Sequence, residues 1–124
     1  MLLVCSRDLI KSLRIHVLSD RIRKELPYSH EEIQNQIKNL FDKISQAMNS
    51  KSYVTLKPEE IFVERNGSKI VYAGDRNGLR CFYTRKKNDK WATECYPNNS
   101  VVNICGQSYY LFGNYELVKL IQLD

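Results

Sequence analysis

Positive charge and aromatic rings share one stretch of this chain: Arg80, Arg85, Lys86, Lys87 and Lys90 interleave with Phe82, Tyr83 and Trp91. Guanidinium and ammonium groups meet phosphates, and flat rings stack on nucleobases, so this mixture points to an anionic ligand, either nucleic acid or a nucleotide-like molecule. Residues 76 to 90 hold six basic residues against Asp89 alone, and residues 7 to 24 hold six against Asp8 and Asp20. The remainder carries seven bases and eleven acids, so the net +5 is confined to two segments. Arg7, Lys11, Arg14 and Arg21 stand 4, 3 and 7 apart, the spacing of a ridge along one helix face. The expected ligand residues are therefore Arg80, Phe82, Arg85, Lys86, Lys87 and Trp91, joined by Arg7, Lys11 and Arg14. If Tyr72, Cys81 and Tyr83 face the helices, alternation turns Arg80, Phe82 and Thr84 outward to meet the ligand.

Other chemistry finds little support in the residue pattern. Asn66-Gly67 and Asn77-Gly78 belong to turns, and no Gly-Lys-Ser/Thr follows a strand, which disfavours nucleotide hydrolysis. His16 and His30 have no local partner that would make a nucleophile–base pair with a cysteine. Glu31-Glu32 suits a helix start and Glu59-Glu60 a turn. Cys5, Cys81, Cys95 and Cys105 are 76, 14 and 10 residues apart, too far for the paired ligands of a structural zinc site. With no export signal in the first eight residues, the cysteines are expected to be reduced core residues, and the chain cytoplasmic. No metal or cofactor is expected.

Two helices and a sheet must position these residues. After a short opening strand at Leu2 to Cys5, residues Ser6 to Leu26 lack Gly and Pro, and Leu9, Ile10, Leu13, Val17, Leu18 and Ile22 recur at helical spacing. Pro27 stops that helix. Ser29-His30-Glu31-Glu32 is a capping box that starts a second, with Ile33, Ile37, Leu40, Phe41, Ile44 and Met48 on one face. Beyond Lys51 the period falls to two. Asn66-Gly67 predicts a two-residue hairpin loop that sets Glu64 opposite Lys69 and gathers Ile61, Val63, Ile70 and Tyr72 on one face. Asp75-Arg76-Asn77-Gly78 makes a second turn and Lys87-Asn88-Asp89 a third, whose register is open. One register puts Cys81 opposite Cys95, and a one-residue slip separates them. The last run, Tyr115 to Leu123, fits a strand or a helix.

The expected fold is therefore α+β, an N-terminal helical hairpin (1–51) packed on a C-terminal antiparallel meander of about five or six strands (52–124), in a single domain of 124 residues. Hydrophobic residues at 43% and charged residues at 27% exclude a disordered or collagen-like chain, and no segment approaches the length of a membrane span. The leading expectation is a small non-enzymatic binding protein for an anionic ligand. A protein-interaction module (an inhibitor, immunity protein or oligomer-forming accessory factor) is the alternative, motivated by the tyrosine-rich run Ser108 to Phe112. A small toxin-like ribonuclease is the third.

Overall fold

The computed structural model describes residues 6–124, so the expected strand at Leu2 to Cys5, and Cys5 itself, lie outside the described residues. Helix α1 spans Arg7–Arg23, and Ser6 caps it by accepting the Leu9 N–H at 3.1 Å. Leu9, Leu13, Val17 and Arg21, each four residues on, form its buried line. Arg21 therefore leaves the expected basic ridge, donating to the Glu32 carboxylate at 2.9 Å and to the Pro27 carbonyl. Ile22, expected in the apolar stripe, is exposed instead. Helix α2 spans His30–Ser50 with Ser29 as its cap, and buries Ile33, Ile37, Ile44 and Met48.

Eight antiparallel strands follow: β1 (Val54–Leu56), β2 (Ile61–Val63), β3 (Lys69–Arg76), β4 (Leu79–Arg85), β5 (Ala92–Pro97), β6 (Ser100–Ile104), β7 (Gln107–Gly113) and β8 (Val118–Gln122). They exceed the expected five or six because β1 is only three residues long and the ambiguous final run is a strand. They also divide into two sheets, ordered β1-β8-β7-β6 and β2-β3-β4-β5, rather than forming one meander. The chain changes sheet at Asn98-Asn99, and β1 closes the first sheet against β8.

Alternation along β7 explains the layering. Tyr110 and Phe112 join Ile121 and Leu123 against the helices, while Tyr109 and Leu111 join Val118 and Leu120 against Ile70, Tyr72 and Phe82 of the second sheet. The helical pair, the first sheet and the second sheet are thus three successive layers. Ser108 to Phe112 is buried on both faces, as a central strand, so the run that suggests an interface is core.

Two registers in the second sheet differ from expectation. At Asn66-Gly67 only Gly67 has positive φ (+85°), whereas a two-residue type I′ loop needs it at both positions. Gly67 N–H bonds the Glu64 carbonyl at 2.9 Å and Glu64 N–H bonds the Ser68 carbonyl at 2.8 Å, which makes a three-residue loop ending in a glycine bulge. Val63 consequently pairs with Lys69, and Ile61 with Val71; Glu64 faces Ser68 rather than Lys69. Ile61 and Val63 fall on the opposite face from Ile70 and Tyr72.

The second departure lies in β3. Its turn, Asn77-Gly78, has both φ angles positive and opens in the expected register, with Gly74 opposite Cys81. Ala73 then drops out of the ladder, and Tyr72 pairs with Phe82 instead of Tyr83. Gly74, at φ +98°, supplies the backbone conformation for this bulge. Arg80, Phe82 and Thr84 therefore point inward, and Tyr83 outward, the reverse of the expected arrangement.

In the β4–β5 hairpin Cys81 does stand opposite Cys95, and the two form a disulfide. The expectation of reduced thiols fails for this pair because the register brings them directly together. Cys105 is a free thiol.

The inward face of β4 makes one prediction. Phe82→Ala should cost about 3–5 kcal/mol in urea unfolding, whereas Tyr83→Ala should cost less than about 1 kcal/mol; the opposite ranking would mean that the bulge is misplaced. Replacing both Cys81 and Cys95 by Ser should lower the unfolding free energy by about 3 kcal/mol, through the freed loop, under non-reducing conditions.

Candidate functional site

The second sheet turns one face to the first and leaves the other open. Lys69 pairs with Arg85 across β3 and β4, and two residues along the ladder Val71 pairs with Tyr83. Period-two alternation places both pairs on the open face, where β2 adds Val63 and Ile61. Trp91, just ahead of β5, closes a shallow hollow of about 420 Å³ with Glu59, Ile61, Val71 and Tyr83. Tyr83 is 41% exposed and Trp91 49%, so both rings are available from solvent.

Beside this hollow lies a cleft of about 170 Å³ lined by Gly67, Lys69, Arg85, Lys86, Lys87 and Asn88. No carboxylate lines it, and its four cations take no part in the ion pairs among the described residues, which are Arg21–Glu32, Arg23–Asp20, Lys24–Asp20 and Arg80–Asp75. Gly67 borders the cleft for a steric reason besides its positive φ. A Cβ there would stand 3.1 Å from Lys87 Cδ, so the bare backbone lets the Lys87 stem lie across the turn. The loop that presents Lys86 and Lys87 is braced by Arg85 Nε donating to the Asp89 carbonyl at 2.7 Å and by Asp89 N–H donating to the Lys86 carbonyl at 3.0 Å.

The structure divides the residues expected to bind ligand. Arg85, Lys86, Lys87 and Trp91 come together around the hollow and cleft. Arg80 and Phe82 do not join them. Arg80 is buried, donates to Asp75 at 2.8 Å and lies 4.6 Å from the Tyr115 ring centroid. Phe82 is wholly buried, 5.5 Å from the Tyr72 ring and 6.2 Å from Tyr96. Their expected outward orientation is overturned by the register shift at Ala73. Arg7 and Lys11 are exposed and Arg14 half-buried on α1, beyond the first sheet, so the two basic segments occupy different layers and do not converge. Sequence reasoning misses Lys69, Ile61 and Val71 as neighbours of this face, and it turns Tyr83 inward. The signal for Ile61 is the Asn66-Gly67 pair, which also fits a three-residue loop with a glycine bulge, and the signal for Tyr83 is Gly74 within a strand pattern, a mark of a bulge.

A second polar cluster lies inside. Glu64 is 5% exposed, and neither carboxylate oxygen has a hydrogen-bond partner. Burial pushes its pKa above the ordinary carboxyl value, against the weaker pull of Tyr109 and Asn66 toward the charged form. Burial likewise raises the neighbouring Cys105 thiol, which makes it a poorer nucleophile than a free cysteine. The cluster therefore lacks the ready thiolate that nucleophilic chemistry needs. Among the described residues no group of three His, Cys, Asp or Glu is placed to hold a metal ion, and no helix is long and apolar enough to cross a membrane.

Comparison with known proteins returns no match to any family model, curated protein or solved structure.

Glu64 sets a pH dependence. Its folded pKa lies above the unfolded one, so its favourable neutral form is complete below the ordinary carboxyl range, and the contribution is lost as pH rises through the folded value. Urea midpoints at pH 4 and pH 7.5 should show Glu64→Gln gaining on the wild type at the higher pH. A difference between the two proteins that is the same at both pH values would contradict the raised pKa.

Proposed function

We propose that the chain binds single-stranded nucleic acid across the open face of the second sheet. The reading rests on one observation: two half-exposed rings, Tyr83 and Trp91, stand beside a cleft of four cations, Lys69, Arg85, Lys86 and Lys87, with no carboxylate in it. Each base has a π-face for the rings, and each phosphate a charge for the cations, so the combination suits a polynucleotide of mixed sequence. The hollow is shallow and wall-less, which favours a strand lying across the sheet over an enclosed nucleotide. The hollow is lined by aliphatic and aromatic side chains with Glu59 as its single carboxylate, and the cations stand in the adjoining cleft, so the face is equipped for binding rather than acid–base cleavage.

Anisotropy of labelled single-stranded DNA and RNA of about 12 nucleotides, across a salt series, tests this. Full engagement of the four cations should give a log–log salt slope of about −3. Lys86→Ala combined with Lys87→Ala should reduce the magnitude of that slope by about 1.4, roughly 0.7 for each phosphate that is no longer neutralised. Trp91→Ala should weaken binding by about 1–3 kcal/mol with little change in slope. Failure of the wild-type protein to bind, or a slope indifferent to the lysine pair, overturns the reading.

A further inference from the structure

Helix α1 has a second apolar side. Ile15 and Ile22 are 56% and 77% exposed, seven residues apart, with half-buried Leu18 between them. Intervals of three and four residues place them in one stripe, in which Leu18 packs partly against the core of Leu9, Leu13 and Val17 while Ile15 and Ile22 are turned to solvent. Toward the N-terminus that side continues as Arg7, Lys11 and Arg14, with Lys11 four residues before Ile15 and Arg14 four before Leu18. None of these three cations is in an ion pair among the described residues, and Asp20, the acid near the other end of the helix, already holds Arg23 and Lys24. One face of α1 is therefore mainly cationic over its first half, where three cations stand with the single acid Asp8, and aliphatic over its second.

We propose that this face docks an amphipathic helix of a partner protein, with an aliphatic seam on Ile15, Leu18 and Ile22 and acidic side chains opposite Arg7, Lys11 and Arg14. The stripe has the width of a helix-pair seam, one side chain per turn at alternating intervals of three and four. A membrane surface calls for a broader apolar face, with the cations on the far side of the helix. A second copy of this chain would set the same three cations, Arg7, Lys11 and Arg14, against one another, with Asp8, three residues before Lys11, as the one acid to offset them. Acidic complementarity therefore selects a different protein as the occupant. This site lies on the layer remote from the proposed nucleic-acid face, and neither depends on the other.

The probe is a labelled peptide of about 21 residues, long enough to span α1 at 1.5 Å per residue, with Leu at both seam positions of each heptad and Glu flanking them. A control peptide carries Lys in place of Glu. Anisotropy with the full chain should show binding of the Leu/Glu peptide, weakened about tenfold or more by Ile15→Ser with Ile22→Ser. Arg7→Glu with Lys11→Glu should weaken the Glu peptide and favour the Lys peptide. Circular dichroism of both variants establishes that the fold persists, since all four positions are exposed. The proposal is overturned if the Leu/Glu peptide does not bind or binds both variants equally. Displacement of the peptide by single-stranded DNA also overturns it. So does binding to phosphatidylserine vesicles, or self-association, that Ile15→Ser with Ile22→Ser abolishes.

Discussion

The unpaired residue Ala73 governs which side chains of the second sheet meet the interior. Because β3 loses one residue from the ladder between Gly74 and Tyr72, Ile70 and Tyr72 can point inward together with Arg80, Phe82 and Thr84 of the partner strand. An unbroken ladder with Ile70 and Tyr72 inside would bury Cys81, Tyr83 and Arg85 instead, and would turn Phe82 to solvent. That alternative forfeits about 1.5–3 kcal/mol for the exposed phenylalanine. It also brings Arg85 inside without Asp75, the carboxylate that neutralises Arg80, and an uncompensated buried charge costs several kcal/mol. Glycine at position 74 makes the bulge inexpensive, since φ +98° carries no Cβ penalty there.

The first sheet then acts as a partition. Both of its faces are covered, by the helices on one side and the second sheet on the other, so it has no free surface except at its edges. Edge strand β6 is itself blunted. Its Val101 N–H donates to Ser12 Oγ of α1 at 2.8 Å, and its Asn103 carbonyl accepts from the Tyr96 hydroxyl at 3.1 Å, which occupies backbone groups that an added strand would need. The remaining open surfaces are the outer side of the helical pair and the outer side of the second sheet. The net +5 of the chain is divided between these two outer layers and does not form one field.

Local rules recover the elements, and long-range pairing decides what the elements present. Helical periodicity and the Ser29 cap locate α1 and α2 because those signals lie within a few residues of their effect. The fold class follows from the change of period near Lys51. The Asn66-Gly67 dipeptide, in contrast, serves two hairpin loops that differ by one residue. The choice is made partly by Asn66, whose Oδ1 accepts Ser68 N–H at 2.9 Å while its Nδ2 donates to the Cys105 carbonyl at 3.2 Å, 39 residues away. No local pattern contains that contact. The disulfide is hidden for the same reason, since the two cysteines meet only in one register of the third hairpin. Of the cations between residues 76 and 90, the turn residues Lys86 and Lys87 are legible as surface because a loop position needs no facing decision, whereas the facing of Arg80 depends on the bulge.

Arg80 and Arg85 show what that decision costs and gains. Both lie on β4, five residues apart and hence on opposite faces. Arg80 gives its charge to Asp75 and its flat surface to Tyr115, while the Tyr72 hydroxyl donates to the Tyr115 carbonyl at 3.0 Å. These contacts tie the β7–β8 loop of the first sheet to the β3–β4 end of the second. At the opposite end Asn66 ties the β2–β3 turn to the β6–β7 turn. Polar clamps at both ends, added to the apolar core between, resist rotation of one sheet over the other. The open face, with Arg85 and its neighbours, is thereby presented on a braced support. A platform braced in this way loses little conformational entropy when rings and cations engage a ligand, which is the condition under which a shallow face with no enclosing walls can still bind.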